Sequence, residues 1–195
     1  MSEVLLFDLF GVIARQQSAA GWAELERLVG VPGLHPLYWG RRHSYDRGDL
    51  KGADYWRLVA EELGTRFDDG RVAALIAADI ASWSAVDAEM VALVERLVDE
   101  GRRVALLSNI PEELAAHYEA AQPWLARLEL VAFSCRIGHA KPEAGAFEWC
   151  ARALDAAPQR ILFVDDNAGN IDAAAALGFR TRLFTGIDGL NSSVG

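Results

Sequence analysis

Four short stretches hold the side chains capable of chemistry. Asp8 follows the apolar run Val4-Leu5-Leu6-Phe7, Ser108-Asn109 follow Val104 to Leu107, Asp165-Asp166-Asn167 follow Ile161 to Val164, and Lys141 stands just before Pro142. Uninterrupted apolar runs of this length suit strands buried on both faces of a parallel sheet. Parallel strands deliver their carboxyl ends to one edge, where open α/β sheets bind ligands. Three carboxylates gathered there repel one another, and the set contains no Cys or His. An all-oxygen donor set points to a hard divalent cation such as Mg²⁺, with Lys141 as a second positive charge.

The rest of the chain must position that edge. Residues 14–84 have helical rather than strand periodicity. Ala20 to Val29 places Trp22, Leu25, Leu28 and Val29 on one face, residues 53–63 repeat the pattern up to Gly64, and residues 71–83 form a third candidate. Val31-Pro32-Gly33 and Arg47-Gly48-Asp49 are the expected connections of this small inserted bundle. From Ser84 helix and strand alternate, which predicts an α/β fold with a parallel sheet under covering helices. The expected elements are a helix Asp87 to Glu100, strand Val104 to Leu107, helix Pro111 to Ala121, strand Leu130 to Ser134, and a helix starting at Pro142 and running to Leu154. Strand Ile161 to Val164, helix Asn170 to Leu177, strand Arg180 to Phe184 and a frayed tail Asn191 to Gly195 complete the set. The expected domains are a core of residues 1–13 and 85–195 and an inserted helical unit of residues 14–84.

Composition narrows the function. At 195 residues the chain can build one core plus a smaller unit, and 52% hydrophobic with 24% charged residues is a globular balance. A net charge of −9, from 28 acidic against 19 basic residues, repels phosphodiester backbones and argues against nucleic acid as a partner. No run approaches the roughly 18 apolar residues of a membrane span. Glu3 and Asp8 interrupt the start where a signal peptide would be apolar, so the expected location is the cytoplasm, as a monomer or homodimer. Cys135 and Cys150 form no CxxC pair and read as free, mostly buried thiols, and His35, His43, His117 and His139 are too scattered for a catalytic role.

Taken together, Phe7-Asp8-Leu9-Phe10-Gly11-Val12, Leu106-Leu107-Ser108-Asn109, Lys141-Pro142-Glu143 and Phe163-Val164-Asp165-Asp166-Asn167-Ala168-Gly169-Asn170-Ile171 resemble, in order and spacing, the four motifs of the haloacid dehalogenase-like hydrolase superfamily. The likeness spans essentially the whole chain, since the inserted helices resemble that family's cap domain. Within the family, the chain is most similar to small sugar-phosphate phosphatases with a first motif of the form FDLGxV. The resemblance implies a Rossmann-like sheet of order 3-2-1-4-5. It implies Asp8 as the nucleophile that forms an aspartyl-phosphate. Mg²⁺ would be held by Asp8, the backbone carbonyl of Phe10 and Asp166, with Asp165 direct or through water. Ser108 and the backbone amide of Asn109 would bind phosphoryl oxygens, Lys141 would neutralise Asp8 and phosphate together, and Asn170 would orient Lys141 or a metal-bound water. The implied substrate is a small phosphorylated metabolite. Phosphoryl transfer depends on positioning and charge neutralisation, and this edge offers both.

One position departs from the pattern. Most phosphatases of the superfamily carry a second Asp two residues after the nucleophile as general acid and base, and here that position is Phe10. General acid–base catalysis is worth roughly 10²–10⁴-fold, or about 3–5 kcal/mol of barrier. Three readings stay open. The proton can come from the substrate or a cap residue, as in FDLGxV-type phosphatases, which also lack the second Asp. The site can be a weakly active or inactive phosphate-binding relic. Or the protein is a metal-independent 2-haloacid dehalogenase, a class with an aromatic Tyr at this position; Asp165-Asp166 speaks against that. Val12 stands where many relatives have Thr and is neutral here.

Substrate selection is expected from the loop after the nucleophile, with Arg15, Gln16 and Gln17 within reach, and from the cap. Arg41, Arg42 and Arg47 form a basic cluster that either grips a substrate anion or, on the better-supported reading, pairs with Asp46, Asp49 and nearby acids as a solvated face. Trp22, Trp56 and Trp149 read as core. Trp39 and Trp83 flank the expected mouth, where packing is again the simpler reading. His139 reads as loop surface.

Overall fold

The structure, a computed structural model, describes residues 3–194. Strand β1 (Val4–Phe7) is followed by four helices, α1 (Ala19–Val29), α2 (Leu34–Asp46), α3 (Gly52–Glu62) and α4 (Asp69–Trp83). Alternation then begins with α5 (Ala88–Asp99), β2 (Arg103–Ser108) and α6 (Glu112–Ala121), and a 3₁₀ turn over Pro123–Arg127 leads to β3 (Leu130–Phe133). Next come α7 (Ser134–Ile137), α8 (Ala144–Ala153), β4 (Ile161–Asp165), α9 (Ala168–Ala176), β5 (Arg180–Leu183) and α10 (Ile187–Val194). The five strands form one all-parallel sheet in the order β3-β2-β1-β4-β5, a Rossmann-like α/β fold.

Side-chain alternation along β1 divides the core in two. Leu5 and Phe7 pack with Leu106 and Val164 under α5 and α6, whereas Val4 and Leu6 pack with Leu107 and Phe163 under α8 and α9. Helices α1–α4 bury a third cluster of their own around Leu25, Tyr38, Tyr55, Trp56, Val59 and Leu75. Phe7 pairs with Leu106 on one side and Val164 on the other, so the next residue, Asp8, lies beside Asp165 at the strand ends. The Asp8 amide continues the ladder by donating to the Val164 carbonyl at 2.9 Å.

Three sequence expectations change. Helix α2 lies between the two expected connections, in a stretch of the inserted segment to which no helix was assigned, because its inward positions are not all apolar: Leu34, Tyr38 and Tyr45 are buried together with Arg42 and Asp46. Its Pro36 sits in the first turn, where the missing N–H is not needed. Pro142 does not open a helix. The Lys141-Pro142 peptide is cis, and α8 begins at Ala144 behind Glu143. Asn191 to Val194 continue α10 instead of fraying, and Gly195 lies outside the described residues. No described helix is long and apolar enough to cross a membrane.

Candidate active site

The centre is built on the turn after β1. The Leu9 carbonyl accepts from Val12, Ile13 and Ala14 N–H, and Gly11 N–H donates to the Ala14 carbonyl, a pattern that leaves out the Phe10 carbonyl. Gly11 has φ +85°, and a Cβ there would stand 2.0 Å from Asp166 Oδ2 and 2.5 Å from Gln16 Nε2. Only glycine allows the backbone to come this close to Asp166. Asp8 is buried; its Oδ1 accepts Leu9 N–H at 2.7 Å and pairs with Lys141 Nζ at 2.6 Å. Lys141 Nζ also donates to Asp165 Oδ2 at 2.7 Å.

Asp165 is spoken for on both oxygens. Oδ1 accepts Asn167 N–H at 2.7 Å and Asn170 Nδ2 at 3.2 Å, and Oδ2 accepts Asn170 at 3.0 Å besides Lys141. Asp166, half-exposed, accepts Gln16 Nε2 on Oδ2 at 2.9 Å. One oxygen each from Asp8, Asp165 and Asp166 can be chosen within 4.8 Å of one another.

Charge and burial act together here. Burial pushes the Asp8 carboxyl up to about 7, Lys141 opposes that rise and Asp165 adds to it. Burial alone would lower Lys141, but the two carboxylates gripping it outweigh that and raise it. Asp166 is raised as well, by burial first, with Asp165 adding and Gln16 opposing. With one buried ammonium for three carboxylates, the cluster favours a further positive charge, and its oxygen-only donors suit a hard divalent ion. Asp8, Asp166 and the Phe10 carbonyl retain acceptor capacity, whereas Asp165 has little left.

Ser108, at the end of β2, is fully buried and its hydroxyl has no hydrogen-bond partner, one of two such side-chain atoms among the described residues. A buried hydroxyl left without a partner costs about 1–3 kcal/mol, which a ligand oxygen would recover. The Asn109 side chain has a role that its motif did not reveal. Nδ2 donates to the Lys141 carbonyl and Oδ1 accepts Lys141 N–H, both at 2.8 Å, so Asn109 clamps the backbone of the residue that grips Asp8.

A cavity of about 220 Å³ opens over this centre. Asp8, Lys141, Asn109 and Asp166 line it from the sheet edge, and Trp39, Arg42, Asp46 and Trp83 line it from the inserted helices. Phe10 lies between them, its ring edge-on to Trp83 at 5.0 Å and to Tyr118 at 5.8 Å. Trp39 and Trp83 therefore line the cavity as well as packing.

Arg15 does not reach this site. It is exposed, its backbone N–H is tied to the Ala85 carbonyl at 2.8 Å, and it borders a separate depression with Met90 and Ile187. Gln16 reaches the site in its place, and Gln17 turns to Ser82 and Tyr38.

The three arginines diverge. Arg41 pairs with Glu62 at the surface, and Arg47 pairs with Asp49 at 2.6 Å and with Glu143 at 3.1 Å. Arg42 is not on a solvated face. It is buried, with Nε on Asp46 Oδ1 at 2.8 Å and Nη1 on Asp79 Oδ2 at 2.9 Å and on the Tyr38 hydroxyl. The expected pairing of the arginines with Asp46 is present for Arg42, but sequence reasoning did not place Asp46 at the cavity and missed Asp79, the second partner of Arg42. The available signal was the i,i+4 spacing of Arg42 and Asp46, which becomes legible only once α2 is seen as a helix. His139 stays at the loop surface, 3.7 Å from Glu143.

A five-stranded parallel sheet with a lysine-braced aspartate at its central strand end, under four helices that follow that strand, defines the Rossmann-like α/β class of protein. The family model for haloacid dehalogenase-like hydrolases matches residues 3–178, and the chain belongs to that family. Among solved structures, a HAD family enzyme from Bacteroides thetaiotaomicron superposes with a TM-score of 0.81 at 21% identity, with 98% of each chain covered. The same enzyme in complex with magnesium and inorganic phosphate gives 0.75 at 21% identity over 93% of each chain. The L-2-haloacid dehalogenase from Xanthobacter autotrophicus gives 0.68 at 17% identity, over 93% of this chain and 76% of that one. In sequence, drimenol cyclase drtB of Aspergillus calidoustus is 23% identical over 185 residues; the alignment takes in 94% of this chain but only 34% of that protein. The chain thus spans about a third of that curated relative's length.

Proposed function

We propose that this protein hydrolyses small phosphomonoesters with Mg²⁺, through a phosphoryl intermediate on Asp8. The observation that carries the reading is the charge count at the strand ends: Asp8, Asp165 and Asp166 against a single buried Lys141. A metal-free reaction would leave that imbalance standing. The orphaned Ser108 hydroxyl at the end of β2 adds weight, since it is a donor without a partner beside Asn109 of the cavity lining.

Asp8, Asp166 and the Phe10 carbonyl would hold the metal, with Asp165 limited to a water-mediated contact because Lys141 and Asn170 occupy it. When bound, Mg²⁺ supplies neutralisation of the phosphoryl charge. Leu9 N–H and Lys141 fix the Asp8 carboxylate for attack on phosphorus, and Lys141 offsets the charge carried over to the phosphoryl oxygens. Ser108 Oγ and the Asn109 amide bind those oxygens. Asn109 and Asn170 hold Lys141 and Asp165 in register. The inserted helices act as a cap over residues of the core, and the cavity size fits a small phosphorylated metabolite.

One observation favours a second reading. Phe10 puts an aromatic ring where a phosphatase of this family usually has its acid, and an L-2-haloacid dehalogenase is among the similar folds. The test is phosphate release from a panel of phosphomonoesters with Mg²⁺ and with EDTA, beside chloride release from 2-chloropropionate. The expected result is Mg²⁺-dependent phosphate release; chloride release in EDTA with no phosphatase activity would establish the dehalogenase instead. If neither substrate turns over while phosphate raises the melting temperature only with Mg²⁺, the site is a phosphate-binding relic.

A further inference from the structure

We propose that Asp46, at the C-terminal end of α2, is the general acid and base that replaces the carboxylate missing at Phe10. The inference rests on the phosphatase reading above and concerns the same site.

In-line displacement sends the leaving oxygen away from the nucleophile. Asp8 lies at the sheet edge, so the departing group faces the part of the cavity formed by α2 and α4, where Trp39, Arg42, Asp46 and Trp83 stand. The carboxylates lining the cavity are Asp8, Asp46 and Asp166. With Asp8 as nucleophile and Asp166 in the metal set, Asp46 is the one left for proton transfer.

Its surroundings equip it to hold a proton. Arg42 is shared by two carboxylates. Asp79 is committed on both oxygens, to Arg42 at 2.9 Å and to the Tyr38 hydroxyl at 2.6 Å, and already balances the guanidinium. Asp46 is then the surplus negative charge of the cluster, and one proton on it makes the group neutral. Arg42 Nε holds its Oδ1 at 2.8 Å, and among the described residues no hydrogen bond reaches Oδ2. The Asp46 side chain keeps 13% of its surface exposed against 3% for Asp79, which marks it as the member of the pair open to the cavity. Burial pushes its carboxyl up to about 6, with Asp79 adding and Arg42 and His43 opposing; Lys141, Asp8 and Asp166 face it across the cavity. The backbone is fixed to the core as well. Ser134 Oγ donates to the Asp46 carbonyl and accepts Ile110 N–H at 2.8 Å, so the end of α2 is tied directly to the sheet domain.

The proton balance closes. As the Asp8 carboxylate bonds to phosphorus and the ester P–O bond breaks, protonated Asp46 gives its proton to the leaving oxygen, releasing the alcohol. Asp46, now a carboxylate, takes a proton from water as the water oxygen attacks phosphorus. The P–O bond to Asp8 breaks, and phosphate leaves with both residues in their starting states.

The experiment compares p-nitrophenyl phosphate, whose leaving group needs little protonation, with benzyl phosphate, similar in shape but with a poor leaving group, in Mg²⁺. For Asp46→Asn, kcat/KM on benzyl phosphate should fall about 10²–10³-fold and on p-nitrophenyl phosphate less than about 10-fold, the span expected of a lost general acid. The alkaline limb of the wild-type pH profile on benzyl phosphate should vanish with it. Should Asp46→Asn not fold, Asp46→Glu carries the same test, with the larger loss again expected on benzyl phosphate. An equal loss on both substrates, or no loss, overturns the assignment of Asp46 while leaving the phosphatase reading in place. Absence of wild-type turnover on either substrate overturns that reading and this proposal with it.

Discussion

Two buried clusters face each other across the cavity, each made of one cation between two aspartates. At the sheet edge Lys141 joins Asp8 and Asp165, and in the inserted helices Arg42 joins Asp46 and Asp79. Within each, one carboxylate is locked on both oxygens, Asp165 by Asn167, Asn170 and Lys141 and Asp79 by Tyr38 and Arg42. Its counterpart is bound through one oxygen only, and Asp8 and Asp46 are the members that line the cavity. The difference lies in the cation. Lysine is a compact ammonium that can contact two carboxylates and a phosphoryl oxygen together, whereas arginine's fork commits Nε to one aspartate and Nη1 to the other. Guanidinium stacking on Tyr38, Tyr45 and Trp83, at 5.2–5.7 Å, fixes Arg42 further. On the proposed function, the first cluster serves chemistry at phosphorus and the second holds a carboxyl in place for a proton.

The largest effect should come from the open member of the first cluster. Asp8→Asn is expected to lower phosphatase kcat at least about 10⁴-fold with the melting temperature held or raised, since it removes a buried carboxylate whose proton affinity is already high. Retained activity would remove Asp8 from the nucleophile position.

Removing the cations comes next and compares the two clusters directly. Lys141→Met and Arg42→Met each leave two buried carboxylates facing one another, at a cost of about 3–5 kcal/mol in denaturant unfolding. Lys141→Met should also abolish turnover. Arg42→Met should retain turnover of p-nitrophenyl phosphate in whatever fraction folds, and equal inactivation by both would erase the distinction drawn between the clusters.

Gly11→Ala is expected to cost about 1–3 kcal/mol, because φ is +85° there and the new methyl would collide with Asp166. It should weaken Mg²⁺ affinity before it weakens the fold, measured as a rise in the metal concentration giving half-maximal activity.

The smallest effect is one of pH. Without metal, Asp8 has a carboxyl raised from 3.8 to about 7, so its proton stabilises the fold fully below 3.8 and that contribution is lost as pH rises through 7. Mg²⁺ bound as proposed would have to displace that proton. Stabilisation by Mg²⁺, about 2.7 kcal/mol at 100 times Kd, should therefore be small at acid pH and grow as pH rises through 7, read as the difference in melting temperature with and without metal. A shift independent of pH would contradict this.

The two clusters also differed in how readily the sequence revealed them. Asp8, Ser108, Asp165 and Asp166 stand where uninterrupted apolar strands meet polar residues, and a parallel sheet turns that one-dimensional pattern into proximity. Helix α2 breaks the rule that makes helices visible. Its inward positions include Arg42 and Asp46, whose burial is compensated by Asp79 from another helix 37 residues away from Arg42, a partnership periodicity does not encode. Loop direction was equally hidden. The tie from Arg15 N–H to Ala85 turns that side chain outward and brings Gln16 to Asp166. Local spacing placed all three residues near the site and could not choose among them.

The most direct measurement is the mass of rapidly acid-quenched protein during turnover of p-nitrophenyl phosphate, followed by peptide mapping. The account predicts that the peptide containing Asp8 gains one phosphoryl group with Mg²⁺ and none in EDTA. Release of p-nitrophenol with no phosphorylated Asp8 at any time, or a phosphoryl group on another residue, would contradict it.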